Sequence, residues 1–278
     1  MIKYLLLLCL LAVPSLSCTH LLYHPTQHQY YDPVKAGVTP DEIWFENDEG
    51  QKLFGWYFHA KTKTPSKALI VFFHGNAENL SSHFATLLFV LEQGYDFFIF
   101  DYSGYGKSPG KPTPKATIQD GKAAIKWASD HRKGKPLVVF GQSLGGAIAM
   151  RSVAEVKDQI PIDLVVVDST FHSYKSVANR LMRKHWVTWL FSPLAYVLMN
   201  DTYSPEDSIS KLSPIPMVVI HGDQDQTVDY QLGKEVFHLA QQPKEFWEVP
   251  GGMHTDAFWR HGKTYRDKFI KRLDSLNK

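Results

Sequence analysis

Cysteine is almost absent from this chain. The only two, Cys9 and Cys18, stand near the N-terminus, and beyond Cys18 there is none. The body of the protein therefore has no disulfide to form, no cysteine nucleophile and no thiolate metal site, so its stability must come from its core. An excess of one charge sign is missing too. Thirty lysines and arginines stand against 28 acidic residues, a formal net charge of +2. That balance carries no electrostatic footprint for nucleic acid. Internal repeats and low-complexity stretches are also lacking. What remains is ordinary globular composition over 278 residues, 44% hydrophobic and 21% charged, a size that fits one α/β domain.

The first residues stand apart from this. Met1-Ile2-Lys3 carries one positive charge, Tyr4 to Val13 is almost wholly apolar, and Pro14-Ser15-Leu16-Ser17-Cys18 ends the run. The apolar stretch is short for a permanent membrane span and fits a signal-peptide core. Ser17-Cys18 after Leu16 resembles a bacterial lipobox. That resemblance implies a signal peptide over 1–17, lipidation of Cys18, a tether over 18–41 and a folded domain over 42–278. Ordinary secretory cleavage and retention as an uncleaved anchor are the alternatives. The expected location is the bacterial cell envelope, with membrane attachment through the lipid. Thr19 after the cysteine resembles outer-membrane lipoproteins more than inner-membrane ones.

From Ile43 onward strand and helix signals alternate. Ile43–Phe45 and Leu53–Phe58 read as a strand pair around the turn Asn47-Asp48-Glu49-Gly50. Continuous apolar runs of the buried kind follow at Ala68–Phe73, Phe97–Phe100, Leu137–Phe140, Leu164–Val167 and Met217–Ile220, with a shorter one at Phe246–Val249. Helical patterns fall between them, over Leu80–Gln93, Ala116–Arg132, from Ser143 toward Val156, Tyr230–Ala240 and Thr255–Leu273. This alternation predicts an α/β fold: a mainly parallel, eight-stranded sheet with helices on both faces and ligands bound at the C-terminal strand ends. The interval from about 171 to 212 breaks the rhythm. It is rich in large apolar residues and reads as a small helical cap over the site, which favours acyl or aromatic substrates. An amphipathic crossover packed on the sheet is the alternative.

Chemistry enters at Gly141-Gln142-Ser143-Leu144-Gly145, directly after the strand Leu137–Phe140. A strand that turns at once into a helix strains the turn residue and pushes its side chain outward. Glycines two positions to either side leave room for the backbones to cross. The serine is then a candidate nucleophile above a helix N-terminus that can stabilise an oxyanion.

A serine nucleophile needs a base, and the base an orienting acid. The chain has 13 histidines, and position selects among them. His254 follows the last strand in Val249-Pro250-Gly251-Gly252-Met253-His254, at the same sheet edge as Ser143. Asp225 follows the Met217–Ile220 strand and fits the acid. Asp168 also ends a strand and competes for that role, whereas Asp223 fits a turn. For the oxyanion hole, the Leu144 amide and an amide from His74-Gly75-Asn76-Ala77 are the candidates, Asn76 first and Ala77 next. His74 reads as structural.

These motifs, with Asp101-Tyr102-Ser103-Gly104-Tyr105-Gly106-Lys107-Ser108-Pro109-Gly110, resemble the α/β-hydrolase superfamily. The likeness is greatest to the serine-aminopeptidase-like group with an H-G-N-A oxyanion loop, which includes depalmitoylases. Ser103 stands where arginine is common, and Glu78 where glycine is common. The resemblance implies a carboxylesterase or thioesterase working through Ser143, Asp225 and His254 on a small acyl substrate, without cofactor or metal. A peptidase on the same triad is one alternative. A non-catalytic binding lipoprotein on a hydrolase fold is another.

Overall fold

The computed structural model describes residue 19 and residues 22–184, 186–260 and 262–277. The expected signal peptide and the expected lipidation site Cys18 lie outside the described residues, as do His185 and His261.

Eight strands build one sheet: β1 Asp41–Glu46, β2 Lys52–Phe58, β3 Leu69–Phe73, β4 Asp96–Phe100, β5 Leu137–Gln142, β6 Leu164–Asp168, β7 Met217–Gly222 and β8 Lys244–Val249. Their spatial order is β8-β7-β6-β5-β3-β4-β2-β1. β2 runs antiparallel to both β1 and β4, and every other pairing is parallel. All residues of β3 to β7 are buried. A parallel sheet covered on both faces needs apolar side chains on both, which is why these strands stand out as unbroken apolar runs.

The helices are α1 Leu80–His83, α2 Pro114–His131, α3 Leu144–Val156, α4 Tyr174–Lys184, α5 Ala195–Leu198, α6 Glu206–Ile209, α7 Tyr230–Leu239, α8 Ala257–Arg260 and α9 Gly262–Asp274. One face of the sheet, through Val71, Phe73, Val139 and Val165, packs on α2, α3 and α7. The other, through Ile70, Phe72, Val138 and Phe140, packs on residues 84–91, α8 and α9. α2 begins where the Thr113 side chain caps the Ala116 amide and Pro114 takes the first turn, the position where its missing N–H costs nothing.

The structure differs from the sequence reading in three places. The helix expected over Leu80–Gln93 is α1 followed by a 3₁₀ segment, Phe84–Gln93, which ends at Gly94 with φ +89°. The helix expected over Thr255–Leu273 is split into α8 and α9. The segment expected as a tether is irregular but docks onto the body at several points. Tyr23 is buried, with its Oη 2.8 Å from Tyr174 Oη. His24–Pro25 pairs in parallel with Ala77–Glu78. The Asn79 side-chain amide donates to the carbonyls of Thr26 (3.0 Å) and His28 (2.7 Å). These contacts satisfy backbone groups that a free tether would leave to water.

Candidate active site

β5 passes into α3 through Ser143, whose backbone stands at φ 54°, ψ −122°. L-residues avoid this region, and holding one there costs on the order of 1–3 kcal/mol. Several bonds hold it. The Ser143 amide donates to the Asp168 carbonyl (2.8 Å), and the Ser143 carbonyl accepts from the Gly146 amide (3.0 Å) and Thr170 Oγ1 (2.7 Å). The flanking glycines answer to close backbone crossings. A Cβ on Gly145 would lie 2.2 Å from the Phe73 carbonyl oxygen, and one on Gly141 2.6 Å from Gly146 Cα.

Three C-terminal strand ends meet here, after β5, β7 and β8. His254 Nε2 lies 3.0 Å from Ser143 Oγ, and His254 Nδ1 lies 2.8 Å from Asp225 Oδ2. With Nδ1–H donating to the carboxylate, Nε2 faces the serine hydroxyl as an acceptor. Asp225 Oδ1 accepts the amides of Thr227 and Val228, each at 2.8 Å. The buried His221 brings Nε2 to 3.4 Å from Asp225 Oδ2 while donating to the Val228 carbonyl at 2.9 Å. Burial opposes ionisation of Asp225, but the bonds from His221, His254 and the Val228 amide outweigh it. Together they hold the carboxyl well below the usual carboxylate range.

The competing acids sit elsewhere. Asp168 bonds Ser169 Oγ (3.0 Å) and Gln142 Nε2 (3.5 Å), and burial pushes it up to about 6. Asp223 accepts the Gly251 amide at 2.7 Å and shapes the loop that carries His254.

The loop after β3 brings Gly75, Asn76 and Ala77 to the cavity that Ser143 and Leu144 also line. Leu144 is the first residue of α3, so its amide is among those that have no acceptor within the helix. The Asn76 side chain is tied by Tyr105 Oη (3.2 Å) and the His24 amide (3.0 Å), both donating to Oδ1. Tyr102 Oη donates to the His74 carbonyl at 3.1 Å, and Asp101 Oδ1 accepts the Leu80 amide at 2.8 Å. The Asp101–Gly110 segment thus braces the loop expected to form the oxyanion hole, a role the sequence motif did not disclose. Gly106 makes this possible. It has φ +48°, and a Cβ there would fall 1.9 Å from Asp101 Oδ2. Glu78 occupies left-handed backbone at φ 67°, a conformation that favours glycine, in keeping with the glycine the resemblance implies at this position. His83 also lines the cavity. Burial lowers its imidazole to about 4, with His74 beside it adding to the effect, so it stays neutral.

The cavity encloses about 270 Å³. Its apolar wall is Leu22, Phe171, Val177, Leu181 and Val228, and among the described residues no Asp or Glu lines it. Val177 and Leu181 are four apart on α4 and so share one face. The segment expected as a cap therefore supplies part of the wall. A more open groove of about 600 Å³ lies along α9, lined by Lys263, Arg266, Asp267 and Lys271 among others. Among the described residues it holds no serine–histidine pair, whereas Ser143 and His254 both line the smaller cavity.

Residues 64–212 match the family model described as serine aminopeptidase, S33. The chain belongs to this hydrolase family. Relatives of this S33-type hydrolase include the uncharacterized YfhR protein of Escherichia coli K12, 33% identical over 99% of this chain and 94% of that protein. The lysophosphatidylserine lipase ABHD12 of Macaca fascicularis is 26% identical over 89% of this chain and 65% of the lipase. Among solved structures, the Pyrococcus furiosus esterase Pf2001 superposes with a TM-score of 0.71 at 23% identity, covering 92% of this chain and all of the esterase. That likeness shows an α/β-hydrolase fold.

Proposed function

We propose that this hydrolase cleaves carboxylic esters and thioesters through an acyl-enzyme on Ser143. The observation that carries this is the alignment of Ser143 Oγ, His254 and Asp225 at 3.0 and 2.8 Å. In this reading His254 Nε2 takes the hydroxyl proton as Oγ bonds to the substrate carbonyl carbon. Asp225 holds the tautomer and stabilises the imidazolium. The amides of Asn76 and Leu144 receive the oxyanion. His254 then protonates the departing alcohol or thiol. Water enters, His254 takes its proton, and the acid leaves as Ser143 regains its own.

The cavity supports an acyl substrate over a peptide. A free peptide amine calls for a carboxylate in the pocket, and none lines it among the described residues. Two of the compared proteins bear the names esterase and lipase, which favours the same choice over an aminopeptidase. The triad and oxyanion loop also argue against a purely binding role. We further propose that the chain is held at a bacterial envelope membrane through Cys18, which incorporation of labelled palmitate into the wild type but not into Cys18→Ala would test.

The test of the chemistry is labelling by a fluorophosphonate probe, which requires an activated serine. Wild type labels and Ser143→Ala does not. Labelling of that variant at the wild-type level would remove Ser143 from the mechanism. A panel of p-nitrophenyl acyl esters, acyl thioesters and aminoacyl nitroanilides then separates esterase from peptidase.

A further inference from the structure

The cap is built inside out between α4 and α6. From Trp186 to Asn200 there is no Asp, Glu, Lys or Arg. Within this stretch Ser192, Ala195 and Met199 are buried at helical spacing. The larger apolar side chains face away. Trp186 is 86% exposed, and Trp189, Leu190, Phe191, Tyr196 and Val197 are all exposed beside it. A segment that only packed on its own domain would turn its bulky face inward. Single exposed apolar residues are ordinary, but a contiguous group of this size marks a docking surface. The segment is held in this pose, since the Asn179 side chain of α4 donates to the Ser192 carbonyl at 2.8 Å.

Two observations identify what covers it. The first is where the N-terminal segment joins the body. Buried Thr19 accepts the Asn200 amide on Oγ1 at 3.0 Å, at the end of the patch. The apolar run Tyr4–Val13 and Cys18 therefore precede a residue fixed beside this face. The second is composition. Trp and Tyr with aliphatic neighbours, bordered by Arg183 and Lys184, are the mixture that settles at a lipid headgroup boundary. The same α4 turns Val177 and Leu181 into the Ser143 cavity, and Leu22, three residues after Thr19, lines that cavity too.

We propose that the face formed by residues 186–198 seats in the interfacial layer of a phospholipid bilayer, on the side where Thr19 is fixed, and that the Ser143 cavity takes its acyl substrate from that layer. The seating stands on the patch and on Thr19. The substrate route rests also on the ester-hydrolase reading.

The full chain, reconstituted in phosphatidylcholine vesicles with brominated acyl chains, provides the test. Bromine quenches tryptophan only within the acyl boundary. Trp186 and Trp189 are expected to account for the quenching, so that Trp186→Phe/Trp189→Phe abolishes it, while exposed Trp44 on β1 contributes none. An anchored wild type with no quenching, or quenching unchanged in the double variant, overturns the seating. So does a concentration-dependent dimer that Leu190→Asp/Phe191→Asp dissociates without any quenching in the wild type, because the occupant is then a second copy. The same aspartate pair is expected to slow hydrolysis of a vesicle-embedded ester by about tenfold or more while a soluble butyrate ester is turned over within about twofold of wild type. Equal loss on both esters overturns the substrate route. Quenching without hydrolysis of any ester leaves the seating intact and refutes the ester-hydrolase reading instead.

Discussion

Tyr105 Oη donates a 3.2 Å hydrogen bond to Asn76 Oδ1 and so ties the Asp101–Gly110 segment to the loop proposed to offer the second oxyanion amide. The His24 amide reaches the same oxygen, and Tyr102 holds the His74 carbonyl two residues earlier. This loop is thus positioned from outside itself, and the Tyr105 and Tyr102 bonds are partly or wholly buried, where a hydrogen bond is worth more.

Tyr105→Phe removes one of these bonds and keeps the ring. A hydrogen bond contributes about 1 kcal/mol, so kcat is expected to fall roughly fivefold with KM little changed. Steady-state kinetics with a short-chain ester, beside a melting curve that stays close to wild type, checks it. A fall in thermal stability that tracks the loss of rate would point to a merely structural role.

Asp225→Asn leaves an oxygen for the Thr227 and Val228 amides but removes the charge that selects the His254 tautomer. The expected loss is about 10⁴-fold in kcat. Asp168→Asn, beyond bonding distance of His254, should leave kcat within about twofold of wild type, since substitutions away from reacting groups cost little. Comparable losses in the two variants would reopen the choice of acid.

Asp168 also governs a pH effect. Burial raises it from 3.8 to about 6, so between those values the folded state keeps a proton that the unfolded chain has released. Stability therefore falls as pH rises through that window, by on the order of 2–3 kcal/mol from this group. Asp168→Asn removes the effect. Its stability relative to wild type is expected to climb between about pH 4 and pH 6 and then level off. Urea denaturation across that range measures it, and a constant difference between the two proteins contradicts it. His83, lowered to about 4, works in the opposite sense, since acidification protonates the unfolded chain first. It is common to both proteins and cancels in the comparison.

Leu181 stands in the cavity wall on α4. Leu181→Trp fills space that a long acyl chain would use. The ratio of kcat/KM for a decanoyl over an acetyl ester is expected to drop about tenfold or more. An unchanged ratio would place the acyl chain along another wall.

Much of this protein is legible in its sequence. The sheet was legible because β3 to β7 are buried on both faces and must be apolar throughout. Ser143 was legible because a strand-to-helix crossing admits only glycine where Gly141 and Gly145 stand. His254 and Asp225 were legible as residues just past strand ends. The residues that secure them were not. Thr170, Tyr105 and Leu22 reach the site from distant positions in the chain, and even for His221, four residues before Asp225, no local pattern records which carbonyl or carboxylate a side chain will meet. The 3₁₀ path of Phe84–Gln93 was hidden as well, because apolar spacing does not separate a tight helix from an α-helix over ten residues.

The sequence by itself determined the alternation of buried strands and helices, and with it the edge at which three loops converge. Those are periodic and local properties, written in neighbouring residues. Only the tertiary structure decided which acid faces His254, how the oxyanion loop is braced, and that the apolar stretch 186–198 turns its bulk outward. Each of these depends on distances between residues far apart in the chain. The same tryptophans and leucines would have read identically had they faced the core.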